Sequence, residues 1–151
     1  MVVNDRCLLV SLGALGAAAA VGVGWLRRNW AVITVVGPSM EPTYHHGDRV
    51  VVRRAARSTV SAGDVVVIER PSGDPVGRDQ PTGIQKGRWM IKRVGAVAGD
   101  SVPDGIPVTD AIVPEGRLVL LGDNAEASFD SRQAGYFPVA LVLGNVVRRM
   151  R

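Results

Sequence analysis

The stretch WMIKRV, residues 89–94, reads as a β-strand because aromatic and other apolar side chains dominate it. It contains Lys92, one of only two lysines among the 18 lysine and arginine residues of the chain. Arginine keeps its proton in a protein, whereas a desolvated lysine can become neutral and act as a base. An exposed strand lysine without a special role is the alternative. This stretch alone does not decide between the two interpretations.

Similar valine-rich runs, separated by turns that often contain Gly-Asp, occur on both sides of this stretch. We predict strands at Ile33–Val36, Arg49–Arg53, Asp64–Glu69, Arg88–Ala98, Leu118–Leu121 and Leu141–Arg148. No convincing soluble helix is present. Residues 31–148 are therefore predicted to form a single mostly β domain, with a long polar loop at Pro71–Gly87 and a hairpin turn marked by Gly105 and Pro107.

An uncharged, apolar segment extends from Cys7 to Leu26, before the predicted domain. About 20 such residues cross the core of a bilayer as a helix, so we predict one transmembrane anchor at residues 7–26. A cleaved signal peptide is the alternative, but the segment is long for one and its start is barely basic. By the positive-inside rule, Arg27 and Arg28 would place the following domain in the cytoplasm.

The charge and cysteine content argue against several other classes of protein. The net charge of +4 is modest and spread along the chain, and aromatic and basic residues do not interleave, so we expect no nucleic-acid partner. Cys7 is the single cysteine, so the chain has no internal disulfide. The arginines at residues 53–57 and 148–151 can contact anionic lipid, although a solvated basic face is the default.

A serine follows the first predicted strand, in the segment GPSMEPT at residues 37–43. The Gly-Pro turn before Ser39 and the proline after it exclude a helix and present the hydroxyl at the end of a strand. A serine hydroxyl is a poor nucleophile until a base removes its proton. His45 and His46 read as solvated turn residues, which makes Lys92 the better base.

Polar residues crowd the segment GDNAEASFDSR, residues 122–132, directly after an apolar strand. Asp130 and Arg132 can form a charge-assisted pair that fixes this loop, and a serine hydroxyl can hydrogen-bond a neutral amine and orient it. An ordinary turn with solvated charges is the alternative interpretation.

Taken together, the three segments resemble the type I signal peptidases, membrane-bound serine proteases that remove leader peptides with a Ser-Lys dyad. The nucleophile box of that family is similar to residues 37–43. Its base box, Lys-Arg-Val followed by Gly-Asp, is similar to residues 92–100, and its last box is similar to residues 122–138. The stretch between the last two boxes is short here, so the second domain that larger members insert there is missing.

The resemblance implies a role for several residues. Ser39 would be the nucleophile, with its backbone amide stabilising the oxyanion, Lys92 the general base, and Ser128 the hydroxyl that orients Lys92. Some members carry a second oxyanion donor, a serine, at the position of Gly37, so a backbone group or water must substitute here. Residues with supporting roles would be Gly37, Asp123, Asp130 and Arg132. No metal or organic cofactor is expected, because the nucleophile and the base are both side chains.

From these observations we predict a single-pass membrane serine endopeptidase that cleaves pre-proteins or peptides after a small residue. A shallow apolar pocket for that residue is predicted from Val35, Met40 and Ile91. A lysine in water is almost fully charged at neutral pH, and burial of Lys92 among Trp89, Met90 and Ile91 is expected to favour the neutral amine. The resemblance implies a β-rich domain that lies against a membrane, with a bacterial cell membrane expected. It also implies that this domain is extracytoplasmic, whereas the few charges near the anchor favour the cytoplasm.

Three alternatives to a general leader peptidase remain open. A self-cleaving repressor-type Ser-Lys protease would need a DNA-binding helical segment, and the apolar N-terminal segment argues against it. A processing protease dedicated to one precursor is compatible with the short domain. A catalytically idle membrane scaffold would require an intact but unused dyad.

Overall fold

The computed structural model describes residue 24 and residues 27–54, 60–70 and 89–150. The chain divides into two units, Met1–Trp30 and Ala31–Arg151, and the fold below is essentially that of the second unit. The predicted anchor at residues 7–26 lies outside the described residues except for Gly24, and the predicted loop at Pro71–Gly87 lies wholly outside them. Within the described ranges, no helix is both long and apolar enough to span a bilayer.

The described residues form one seven-stranded sheet, which confirms the mostly β prediction. The strands are β1 Trp30–Thr34, β2 Arg49–Arg53, β3 Val65–Glu69, β4 Trp89–Val97, β5 Arg117–Leu121, β6 Phe137–Pro138 and β7 Val142–Met150. Their order in the sheet is β1-β2-β7-β3-β4-β5-β6. The pairs β2–β7, β3–β7, β3–β4, β4–β5 and β5–β6 are antiparallel. The last strand of the chain therefore lies between β2 and β3.

Five of the six predicted strands agree with the structure to within one or two residues at each end. The first is displaced: β1 ends at Thr34, because the chain then turns towards the positive-φ residue Gly37. The prediction that no soluble helix forms was wrong at one place, a single-turn helix α1 at Ser131–Ala134. Asp130 caps α1 by accepting a hydrogen bond from the Arg132 amide.

Residues of β4 alternate strictly between the two faces of the sheet, as the two-residue period of a strand requires. Met90, Lys92 and Val94 are buried on one face, where Met90 and Val94 belong to the largest core cluster. Trp89 and Ile91 pack in a different cluster on the opposite face. The expectation that Trp89 and Ile91 bury Lys92 was therefore wrong.

Candidate active site

Lys92 lies near the middle of β4 with only 3% of its surface exposed. Val66 of β3 is its cross-strand partner and is fully buried. Paired residues and residues two apart on a strand share a face, so Val66, Met90 and Val94 all lie on the face that carries Lys92. The Lys92 Nζ donates a hydrogen bond to the Ser128 Oγ at 2.7 Å. The amine is thus held by a hydroxyl in mainly apolar surroundings.

Ser39 lies in the turn between β1 and β2 and is partly exposed. Its carbonyl oxygen accepts a hydrogen bond from the Asn124 amide at 3.1 Å, which joins this turn to the loop after β5. Gly122 lies between the two serines: a Cβ on Gly122 would be 2.7 Å from the Ser39 carbonyl oxygen and 2.5 Å from the Ser128 Cβ. The Ser39 backbone therefore lies beside Gly122 and Ser128, and Ser128 in turn accepts the hydrogen bond of Lys92.

Gly37 precedes Ser39 by two residues and has a φ of +89°, a conformation that favours glycine. Its amide donates a hydrogen bond to the His46 Nδ1 at 3.2 Å. His45 and His46 are exposed in a turn, as predicted. The Gly37 amide is therefore already engaged by His46.

The predicted ion pair between Asp130 and Arg132 is present and clamps the peptide of Gly122. The fully buried Asp130 accepts from the Gly122 amide at 2.8 Å and from the Arg132 Nη2 at 2.6 Å. Arg132 also donates to the Gly122 carbonyl oxygen at 3.0 Å. Burial would raise the pKa of Asp130, but these hydrogen bonds outweigh it and keep the pKa below its ordinary value. The position of Gly122, and with it the space beside the serines, is thereby fixed.

A second ion pair, between Arg93 and Asp123, was not predicted: Asp123 was selected as a supporting residue, but Arg93 was not selected. The Arg93 Nε and Nη2 each lie 2.8 Å from one oxygen of Asp123. Thr43 lies in the same turn as Ser39, and its hydroxyl donates a hydrogen bond to the Asp123 Oδ2 at 2.5 Å. The Arg93 guanidinium lowers the pKa of Asp123. The sequence carries no direct signal for this pair, because Arg93 and Asp123 become neighbours only when β4 pairs with β5.

The three predicted pocket residues have different environments. Val35 and Met40 are almost fully buried, at 3% and 1% exposure. Ile91 is partly buried and packs in the same cluster as Val35, on the other face of β4 from Lys92. Their role in binding substrate stays a prediction. Among the described residues, no group of three or more histidine, cysteine, aspartate or glutamate side chains could hold a metal ion.

Comparison with known proteins assigns the chain to a class of peptidases. The family model described as "Signal peptidase, peptidase S26" matches residues 8–107 and 104–150. The chain belongs to this signal peptidase family.

Relatives come from bacteria and from organelles. Over 121 residues the chain is 32% identical to mitochondrial inner membrane protease subunit 1 of Mus musculus, covering 76% of this chain and 66% of the relative. It is 29% identical over 134 residues to probable signal peptidase I-1 of Synechocystis, covering 74% and 66%. Thylakoidal processing peptidase 1 of Arabidopsis thaliana is 30% identical over 173 residues, covering 97% and 50%. The chain thus spans from about half to about two thirds of the length of these relatives.

Proposed function

We propose that this chain is a membrane-anchored serine endopeptidase that removes leader peptides from precursor proteins, with Ser39 as nucleophile and Lys92 as general base. The observation that carries the proposal is Lys92, which is 3% exposed and 2.7 Å from the Ser128 hydroxyl. Removing an amine from water disfavours its charged form, so these surroundings favour the neutral amine that a base requires. Membership of the signal peptidase family supports the same reaction class.

In the first half of the reaction, the neutral Lys92 amine takes the proton of the Ser39 hydroxyl as its oxygen attacks the scissile carbonyl carbon. Negative charge develops on the carbonyl oxygen, and in this proposal the Ser39 amide donates a hydrogen bond to it. The Lys92 ammonium then gives its proton to the leaving amine as the peptide bond breaks. The acyl group of the leader peptide remains esterified to Ser39.

In the second half, Lys92 is again neutral and takes a proton from a water molecule that attacks the ester. The ester breaks, the proton returns to the Ser39 oxygen, and the leader peptide leaves with a free carboxylate. Ser128 holds the Lys92 amine in place through both halves by their shared hydrogen bond. Asp130 supports the site indirectly: it fixes the Gly122 peptide, and its carboxylate interacts with the Ser128 hydroxyl that holds Lys92.

The proposed substrates are precursor proteins at a membrane, cut after a small residue. Relatives are named as a mitochondrial inner membrane protease subunit and as a thylakoidal processing peptidase. The uncharged segment at residues 7–26 would supply a single membrane anchor. The resemblance to bacterial members favours an extracytoplasmic catalytic domain in a cell membrane.

The deciding experiment compares Lys92→Arg with the wild type in a peptide-cleavage assay across pH. An arginine keeps the positive charge but cannot be a base, so we expect Lys92→Arg to be as inactive as Lys92→Ala and Ser39→Ala. Wild-type activity should fall on the acid side, as the amine becomes charged. Lys86→Arg makes the same chemical change elsewhere and should retain activity. Substantial cleavage by folded Lys92→Arg would exclude Lys92 as the base.

A further inference from the structure

The segment that carries Ser39, residues 36–46, is a loop whose two ends are joined by backbone hydrogen bonds. We call it the nucleophile loop. The Val35 amide donates to the Asp48 carbonyl oxygen at 2.8 Å, and the Gly47 amide donates to the Val35 carbonyl oxygen at 2.9 Å. These two bonds fix where the nucleophile loop leaves the sheet and where it returns.

The second half of the nucleophile loop is held by burial and by contacts outside the loop. Met40 is almost fully buried. The Thr43 hydroxyl donates to Asp123, and the Ser39 carbonyl oxygen accepts from the Asn124 amide. From the Ser39 carbonyl group onwards, the chain is therefore fixed without any help from the first half of the loop.

The first half of the nucleophile loop, residues 36–38, makes fewer contacts. Val36 is 44% exposed, and Pro38 is exposed as well. Among the described residues, one hydrogen bond joins this half to the far end of the loop: the Gly37 amide donates to the His46 Nδ1 at 3.2 Å. A side-chain acceptor thus takes the place of the next backbone bond across the loop.

The backbone between this hydrogen bond and the nucleophile is short and partly rigid. A glycine such as Gly37 can adopt many backbone conformations, so a bond to its amide selects one of them. Pro38 follows, and its ring fixes its own φ at about −65°. The orientation set at Gly37 is therefore passed through Pro38 to the amide and the side chain of Ser39.

The two adjacent histidines differ in how they contact the loop, although the sequence marks both as solvated turn residues. A neutral imidazole has one acceptor nitrogen, and in His46 it is Nδ1, so Nε2 carries the proton. His45 contacts Asp48 through its backbone: its amide donates to the Asp48 Oδ2 at 2.9 Å, and its carbonyl oxygen accepts from the Asp48 amide at 3.1 Å. Within the described part of the chain, the His45 imidazole forms no hydrogen bond.

We propose that His46 is a positioning residue of the peptidase: its Nδ1 accepts from the Gly37 amide and thereby holds the Ser39 hydroxyl and amide in the geometry required for attack. His46 acts through the backbone of Gly37 and Pro38 and not on the substrate. The proposal deepens the proposed function and rests on it, since it gives a role to a residue that supports Ser39 as nucleophile.

The test measures kcat and KM separately for cleavage of a peptide by the full chain in detergent. His46→Phe keeps a ring but removes the acceptor, and should lower kcat about ten-fold with KM changed less than about two-fold, because an exposed hydrogen bond that orients the nucleophile is lost. His46→Asn places its Oδ1 at the same number of bonds from Cβ as Nδ1, and should restore most of kcat. His45→Ala is the matched control and should cleave like the wild type.

A second measurement tests the hydrogen bond without any cleavage. In the full chain labelled with ¹⁵N, an N–H···N bond gives a scalar coupling between the Gly37 amide nitrogen and the His46 Nδ1. We expect this coupling in the wild type and in His45→Ala, and its loss in His46→Phe. Thermal unfolding shows which variants are folded, and His46→Ala replaces His46→Phe where the larger ring prevents folding.

Four results would overturn the proposal: no coupling in the wild type, wild-type kcat in a folded His46→Phe protein, an equal loss of kcat in His45→Ala, or no recovery in His46→Asn. A merely structural role would lower the unfolding temperature of the variants without changing kcat of the folded protein. Failure of this proposal is distinguishable from failure of the proposed function. A wild type that cleaves no peptide refutes both, whereas an active wild type whose folded His46→Phe variant keeps its kcat refutes only the positioning role.

Discussion

Replacing Gly122 with alanine adds one methyl group at the closest approach of the two serines. The new Cβ would lie 2.7 Å from the Ser39 carbonyl oxygen and 2.5 Å from the Ser128 Cβ. Ordinary contacts between such atoms are about 3.5 to 4.0 Å, so the two serine segments or the Gly122 backbone between them must move by about 1 Å. Gly122 does not have a positive φ, so the backbone itself accepts alanine.

A displacement of about 1 Å at a reacting group costs roughly 100-fold in rate, which corresponds to about 2.7 kcal/mol of activation free energy. We therefore expect Gly122→Ala to reduce kcat/KM for a peptide substrate by about 100-fold. The assay is peptide cleavage by purified protein in detergent, with thermal unfolding measured on the same samples. Overpacking costs about 1 to 3 kcal/mol of stability, so a lower Tm is expected as well.

Gly95→Ala is the matched control, because Gly95 lies on β4 close to Lys92. A Cβ there would be 3.0 Å from the Leu121 Cδ1, the end of a flexible side chain that can move aside. This variant should keep most of its activity. The reasoning would be refuted by a folded Gly122→Ala protein with near wild-type kcat/KM, or by an equal loss in Gly95→Ala.

Two other predictions concern the supporting ion pair and the substrate. Burial raises the pKa of Asp130, but its hydrogen bonds with Arg132 and Gly122 lower it below 3.8, so the stabilisation is present at neutral pH and lost as pH falls through the folded-state pKa. Asp130→Asn should therefore cost about 2 kcal/mol in urea unfolding at neutral pH and progressively less as the pH falls below 3.8; a cost that stays constant with falling pH would contradict this. If Val35, Met40 and Ile91 wall the substrate pocket, peptides with alanine before the cut should be cleaved far faster than peptides with phenylalanine, and equal rates would exclude that pocket.

The positions of most strands could be predicted from the sequence, but the order of the strands in the sheet could not. Alternation and valine content mark where a strand lies and which face is buried, and these signals located β2, β3, β4, β5 and β7 closely. They carry no information on pairing, so the position of β7 between β2 and β3 was not predicted. Strand β6 has only two residues, too few for any period to be visible. Helix α1 is one turn long and depends on its cap at Asp130 rather than on a repeating pattern.

The residues of the candidate site were selected largely by resemblance, whereas the contacts that hold them together leave little trace in the sequence. Ser39 is held by a backbone amide, that of Asn124, and the space it shares with Ser128 exists because Gly122 has no side chain. A backbone amide is present at nearly every residue, and a glycine in a Gly-Asp turn looks like any other. Arg93 was missed for a related reason: its partner Asp123 becomes a neighbour only when β4 pairs with β5. The residue types thus indicate which side chains could act as nucleophile, base or ion-pair partner. The distances between these side chains depend on strand pairing and backbone contacts, which the sequence does not show.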